Sequence, residues 1–469
     1  MDKDVISDKL DEFFKHKKNI ISIFIGILLF AVVYYFPFGA LTNLNSDMRA
    51  ALGILLLAAT LWVSEAVPLY VTSLIIVVSQ ILFIQEKTIS SEEALAPFFS
   101  PVIALFLGGF VLASALSQYK LDLKMIRNVL DLAGKAPKSI LLALMGITAF
   151  LSMWMSNTAT TALMIALAVP IYTQIPKDDK FKKAIILGIP FAANIGGMVT
   201  PIGTPPNAII IEELSLAGIN IGFLDWMVLA FPLALILFIF TYFLLYFSFS
   251  TDTKVMDLEI KRKTETGLSK TQIYVLLVFV LTVALWLSSS IDVVGDFFRH
   301  PGFIALIPPI AFFSTGLLDK DDLANLNWDV LLLMGGGLSL GNAVSSTGLD
   351  EWIVHLIGYG SMGIVLLILI FSALAVVLST FMSNTATASL MAPLMLVIGM
   401  DLGMGVSLMA SIALACSIAM ALPVSTPPNA IAYGTDIIEV KDMIKYGGLV
   451  SLVGIILLTI VFGFGLYIY

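Results

Sequence analysis

Met155-Ser156-Asn157-Thr158-Ala159-Thr160 and Met382-Ser383-Asn384-Thr385-Ala386-Thr387 are the same six residues, written twice and 227 positions apart. Each interrupts a long apolar stretch, 140–175 in the first case and 362–400 in the second. A lipid-spanning helix needs about 20 apolar residues, and the first interruption leaves about 16 on each side, so each stretch reads as a re-entrant hairpin with a polar tip. Working outward, the same offset brings Gly108-Gly109 onto Gly335-Gly336 and Ser152 onto Ser379. A second duplicated motif, TPPNAI, occupies 204–209 and 426–431, offset by 222. Two copies of one unit in nearly continuous register are the sequence signature of an internal repeat.

Composition sets the solvent. Hydrophobic residues make up 59% of the chain, charged residues 12%, and mean hydropathy is +1.00, whereas soluble domains run nearer half apolar and a quarter charged. A water-facing globular fold is excluded, and the apolar runs are too long and continuous for the ten-residue alternation of a membrane β-barrel. The expected fold class is an all-α polytopic membrane protein. Spans are read at 19–37, 48–66, 68–84, 100–119, 181–216, 222–249, 271–288, 301–318, 329–344, 405–433 and 446–469. Those eleven transmembrane helices, with re-entrant helical hairpins at 139–175 and 361–400, form two repeats, 48–249 and 271–469. Residues 1–18 are a charged, amphipathic cytoplasmic segment with no cleavable signal apparent, 19–47 an extra first span and loop, and 250–270 a solvated cytoplasmic linker. Five spans plus one hairpin that returns to its own side bring the second repeat in from the opposite face, so the repeats are inverted.

Topology follows from the cations. With the N-terminus cytoplasmic and the C-terminus outside, all but Arg49, Lys87 and Arg299 of the 25 Lys and Arg fall on the cytoplasmic face, as positive charge does in short loops. This places the chain in a bacterial cytoplasmic membrane. One cysteine, Cys416, cannot form an internal disulfide, and His16, His300 and His355 are too scattered for a ligand cluster. There is no GxSxG, no HExxH and no buried acid–base pair, so no catalytic residue, enzyme cofactor or nucleic-acid partner is expected.

What remains is a site. An unwound backbone within the bilayer is tolerated only where protein or a watery cavity receives its polar groups. The breaks at 203–207 and 425–429, paired with the two Ser-Asn-Thr tips, therefore imply one shared cavity. Ser, Asn and Thr cap helix N-termini, and a helix restarting in mid-membrane aims its N–H groups and positive dipole end into that cavity, where an anion could rest without a fixed cation. Pro205-Pro206 and Pro427-Pro428 mark the restarts, and carbonyls just before a restart are hard-oxygen ligands for a small cation. A plainer structural reading suits other features: the paired glycines allow close helix packing, Glu65 and Asp329 sit at interfaces, and Trp154 packs beside the first tip.

The pair of Ser-Asn-Thr motifs with TPPN breaks in the following spans closely resembles the divalent anion/sodium symporter family, over nearly the whole chain. The resemblance implies a homodimer, each protomer having a scaffold and a transport domain that moves by an elevator-like motion. It implies that substrate carboxylates bind at Ser156, Asn157 and Thr158 and at Ser383, Asn384 and Thr385, with Thr204, Pro205, Thr426 and Pro427 alongside. It further implies sodium as the coupling ion, one ion among Ser152, Ser156, Asn157 and Gly203 and another among Ser379, Met382, Asn384 and Ser425. The expected activity is sodium-coupled symport of small dicarboxylates such as succinate, malate, fumarate or 2-oxoglutarate. A sodium-independent dicarboxylate exchanger and an anion channel are the alternatives.

Overall fold

Within hydrocarbon, a backbone amide that does not pair internally has no partner at all, and the chain answers this with helices. The computed structural model describes residues 3–37, 39–176, 178–251, 267–291, 297–298, 300–357 and 362–466. Most of the expected linker, Arg299 and the first residue of the second hairpin lie outside the described residues. Among the described residues there is no strand.

The first half runs through α1 (Lys3–Tyr35), α2 (Ser46–Ser64), α3 (Leu69–Phe83), the short α4 (Ser91–Leu95), α5 (Pro101–Gln118), α6 (Leu121–Ala133), α7 (Pro137–Ser152), α8 (Asn157–Tyr172), α9 (Phe181–Gly197), α10 (Pro205–Leu216) and α11 (Phe223–Ser248). The second runs through α12 (Lys270–Ser288), α13 (Pro301–Ile304), α14 (Ile307–Ser314), α15 (Lys320–Ala324), α16 (Trp328–Ser346), α17 (Leu349–Ile357), α18 (Ile364–Phe381), α19 (Asn384–Asp401), α20 (Gly405–Ser417), α21 (Pro427–Tyr433) and α22 (Val440–Gly463). Six helical segments are long and apolar enough to cross a membrane, which makes this a multi-pass membrane protein. Local signals set the ends: Ser90 and Glu93 cap each other ahead of α4, Ser269 and Gln272 ahead of α12. The Ser90 amide and hydroxyl hold the exposed Glu93 carboxyl below its usual range.

Packing pairs off between the halves. The α7/α9 and α8/α9 contacts of the first are matched by α18/α20 and α19/α20 in the second, and α11/α9 by α22/α20. Two contacts are exchanged: α10 lies on α19, and α21 lies on α8. The largest apolar core unites α7–α11 with α18–α22, while smaller cores collect α2 and α3 against α16, and α5 and α12 against α13 and α14. Side chains such as Phe24, Phe247, Leu277 and Leu366 stay exposed outside these cores, as expected of a surface bathed in lipid.

The glycine pairs do lie at close crossings. A Cβ on Gly108 would fall 2.1 Å from the Ala305 carbonyl oxygen after α13, and one on Gly336 would fall 2.1 Å from Ser73 Cβ on α3. Beside the latter crossing, buried Gln80 donates to the Ser339 carbonyl at 3.0 Å. The charged pair of Lys183 with Asp442, 2.8 Å apart, joins α9 to α22.

Several boundaries differ from the sequence reading. Outside the α-helices lie 198–204 and 418–426, the latter with a 3-10 turn at Pro423–Ser425, and both begin upstream of the expected breaks. The proline pairs sit at the first helical positions, where a missing N–H is harmless, so Asn207 and Asn429 are already helical. The turn of the first hairpin is 153–156, and Asn157 onward belongs to α8. The stretch 301–318 is two short helices rather than one, because Pro308 and Pro309 remove donors that a continuous helix needs. Helix α1 runs on without a break at residue 18.

Gly336→Ala is expected to lower the unfolding temperature of the detergent-solubilised chain, at a cost of about 1–3 kcal/mol from overpacking. Gly146→Ala, whose Cβ would meet nothing within 4 Å, is the control and should leave stability within about 0.5 kcal/mol.

Candidate binding site

Both tips are built by the same cap. Ser156 Oγ accepts the Ala159 N–H at 3.2 Å, and Ser383 Oγ accepts the Ala386 N–H at 3.4 Å. The remaining first-turn amides of α8 and α19 have no intrahelical acceptor, so each tip presents donors and a positive dipole end. Ser156, Asn157, Ser383 and Asn384 are half-buried, Thr158 is exposed and Thr385 buried.

The first tip is wired into its surroundings. Ser152 Oγ donates to Asn157 Oδ1 at 2.5 Å, and Asn157 Nδ2 donates to Asn194 Oδ1 at 3.5 Å. Asn194 Nδ2 in turn donates to Thr426 Oγ1 at 3.3 Å, which also accepts the Asn429 N–H at 3.3 Å. One hydrogen-bond chain thus connects the first MSNTAT motif to the second TPPN motif. Gly197 leaves room at its centre: a Cβ there would lie 2.5 Å from Asn157 Oδ1 and 3.0 Å from the Gly203 carbonyl oxygen. Ser152, Asn157 and Gly203, three of the four residues expected around one sodium ion, therefore converge, with Ser156 adjoining Asn157.

The second half is less tied. Asn384 Oδ1 is buried with no hydrogen-bond partner. Ser379 is buried, and Met382 packs into the apolar core shared with α2 and α16. Ser425 Oγ accepts the Leu422 N–H at 3.1 Å, which occupies it locally. Thr204 is buried, Pro205 half-buried and Pro427 exposed. No hydrogen bond among the described residues draws Ser383, Asn384 or Thr385 into the first network. The sequence explains the imbalance: the 222-residue offset puts Cys416 where the first half has Asn194, so the second half lacks the bridging amide.

Access comes from one side. A cavity of about 380 Å³ reaches the first tip at Ser156 and is walled by Ser114, Ser117 and Gln118 of α5 together with Asp322 and Asn327. Among the described residues, Asp322 is the one charged member of its lining. Trp154 is packing, as expected, stacked on Phe223 at 6.3 Å between centroids and edge-on to Phe279.

Sequence reasoning missed Asn194, a lone amide in the apolar stretch that follows Lys183 in α9, and treated Asn207 and Asn429 as markers of breaks. It also missed Glu212 and Glu213. Both are buried on α10, and Glu213 Oε1 has no partner and lies against Gly341 of α16, where a Cβ would sit 2.3 Å away. Their signal was an adjacent acid pair ending an apolar run. Glu65 and Asp329, the acids singled out instead, are exposed at helix ends.

Comparison with known proteins identifies the family. The sequence profile of CitMHS, described as "Citrate transporter", matches residues 59–406 and 298–469. An uncharacterized transporter of Schizosaccharomyces pombe is 34% identical over 94% of this chain, which spans about half (51%) of that protein's length. The sodium-dependent dicarboxylate transporter SdcS of Staphylococcus saprophyticus is 32% identical, with 96% of this chain and 93% of that protein covered. Among solved structures, the YdaH transporter of Alcanivorax borkumensis superposes with a TM-score of 0.54 at 15% identity, covering 79% of this chain and 86% of its own, and so shares the fold alone. The chain belongs to the citrate transporter family CitMHS, within the divalent anion/sodium symporters.

Proposed function

We propose that the chain is a secondary active transporter that carries small dicarboxylates of the succinate, malate, fumarate and 2-oxoglutarate class by sodium symport, through elevator-type alternating access. The observation that carries this reading is the chain of hydrogen bonds from Ser152 through Asn157 and Asn194 to Thr426, which makes one polar centre out of motifs from the two halves. The name of the staphylococcal relative, a sodium-dependent dicarboxylate transporter, supports the cargo and the ion.

The architecture on this reading is eleven spans and two re-entrant hairpins, 139–175 and 361–400, in inverted repeats 48–249 and 271–469. The exchanged contacts of α10 with α19 and of α21 with α8 support it, because a two-fold relation between the halves carries either contact onto the other. The largest core would be the moving body, and the two smaller cores the scaffold. Gly337 and Gly341 of α16, pressed against Ser389 and Glu213, fit a boundary kept smooth by small residues. A homodimer in a bacterial cytoplasmic membrane, N-terminus inside, completes the proposal.

Each carboxylate of the cargo would take donors at one tip: Asn157 and Thr158 beside Ser156, or Asn384 and Thr385 beside Ser383. Thr204, Pro205, Thr426 and Pro427 flank them. With no Lys or Arg at either tip, sodium ions would supply the compensating charge, one at Ser152, Ser156, Asn157 and Gly203, the other at Ser379, Met382, Asn384 and Ser425. Coupling follows from electrostatics. A half-filled site leaves uncompensated charge or dipoles in a low dielectric, which disfavours the crossing. The cavity at Ser156 is walled by residues just ahead of Lys120 and beside Lys320, so it opens toward the cation-rich face and corresponds to the inward-facing state.

Asn157→Ala and Thr385→Ala are each expected to reduce succinate uptake into proteoliposomes by at least about tenfold, the loss of one or more charge-assisted hydrogen bonds, with near-normal membrane abundance; wild-type kinetics in both would refute the site. An inward sodium gradient should drive net succinate accumulation in the wild type. Uptake indifferent to that gradient but dependent on internal dicarboxylate would replace symport by exchange, and single-channel currents would replace both by a channel.

A further inference from the structure

Leaving the α-helix for seven residues between α9 and α10, and for nine between α20 and α21 that include a 3-10 turn at Pro423–Ser425, frees carbonyls that hydrocarbon cannot satisfy. The same residue type answers in both places. Asn207 Nδ2 lies within hydrogen-bond distance of the carbonyl oxygens of Gly197, Met198 and Thr200, at 3.1, 3.2 and 2.8 Å. Asn429 Nδ2 reaches those of Met420 and Leu422, at 3.1 and 3.0 Å. Under the 222-residue offset Met420 corresponds to Met198 and Leu422 to Thr200, so the two amides hold equivalent carbonyls. Both side chains are completely buried, and in both the oxygen Oδ1 has no partner. The next span lends further support in each half: Trp226 Nε1 donates to the Met198 carbonyl at 3.1 Å, and Ser451 Oγ to that of Ile418.

We propose that Asn207 and Asn429 are a matched pair of positioning residues, each fastening the unwound strand that carries Gly203 or Ser425 to the first turn of the helix that follows. The inference rests on the sodium-coupled reading above and names the residues that set its ion-binding loops. Neither asparagine needs to touch an ion. An amide that anchors carbonyls at both the start and the middle of the strand leaves the strand's other carbonyls, that of Gly203 among them, at a fixed distance from Asn157. Without the amide the carbonyls of 197–200 must find other donors, and the strand must shift to reach them.

The test is a sodium titration of the melting temperature of the purified full-length chain, at constant ionic strength with choline as the replacing cation. A ligand that binds only the folded state stabilises it by RT ln(1 + [L]/Kd). Fitting that relation to the rise of melting temperature above each variant's own sodium-free value yields the sodium Kd separately from how stable the variant is. Asn207→Ala and Asn429→Ala are each expected to raise that Kd about tenfold, the equivalent of one lost hydrogen bond. Asn207→Leu, which keeps the volume and removes the donors, should behave as the alanine variant does. A fitted Kd within about twofold of wild type in the alanine variants, or its recovery in Asn207→Leu, would overturn the proposal. If the Asn207 variants fail to insert, Asn429→Ala and Asn429→Leu decide by the same criterion. A wild type that melts identically in sodium and choline would instead overturn the sodium coupling, and this inference with it.

Discussion

One constraint governs the rest: two stretches outside the α-helices, 198–204 and 418–426, interrupt spans of a helical membrane protein, and their carbonyls lose the partners that a continuous helix would give them. A helix satisfies itself; such a stretch must be satisfied by neighbours. The chain supplies Asn207 and Asn429 from the restarted helices, Trp226 and Ser451 from the following spans, and Thr200, whose hydroxyl donates to the Met153 carbonyl at the first hairpin turn. Those partners determine where the hairpins can lie, and the hairpins determine where the polar tips meet the breaks.

The same constraint accounts for the chemistry. Restarting a helix in mid-chain creates an N-terminus with unpaired amides, and capping it with serine consumes only one of them. Neutral donors and carbonyl oxygens then stand side by side around Gly197, a mixture suited to an anion and a small cation together and poorly suited to either alone. A fixed lysine or arginine in their place would hold an anion whether or not a cation accompanied it, and the two could cross independently. The absence of Lys and Arg from both motifs thus belongs to the same account as the helix breaks.

Much of this was legible in the sequence because duplication is visible without alignment. MSNTAT and TPPNAI located both tips and both restarts, and the glycine pairs located close crossings. Helix ends were less legible: the proline pairs were read as marking the restarts, yet the breaks were drawn through 203–207 and 425–429, so Asn207 and Asn429 were taken for break residues although they already belong to the helices that follow. The asymmetry between the halves was hidden, since Asn194 and its counterpart Cys416 lie outside any repeated motif and declare themselves only through three-dimensional partners. Glu213 escaped for a related reason. Its carboxyl matters because Gly341 leaves space for it, and that pairing spans 128 residues of chain.

The central claim, that motifs from the two halves enclose one guest, is tested most directly by a cryo-electron microscopy map of the chain in lipid nanodiscs with succinate and sodium. Density for the dicarboxylate should lie between the first turns of α8 and α19, within hydrogen-bond distance of Asn157 and of Asn384 or Thr385. Density elsewhere, or tips that face lipid with protein filling the space between them, would contradict it.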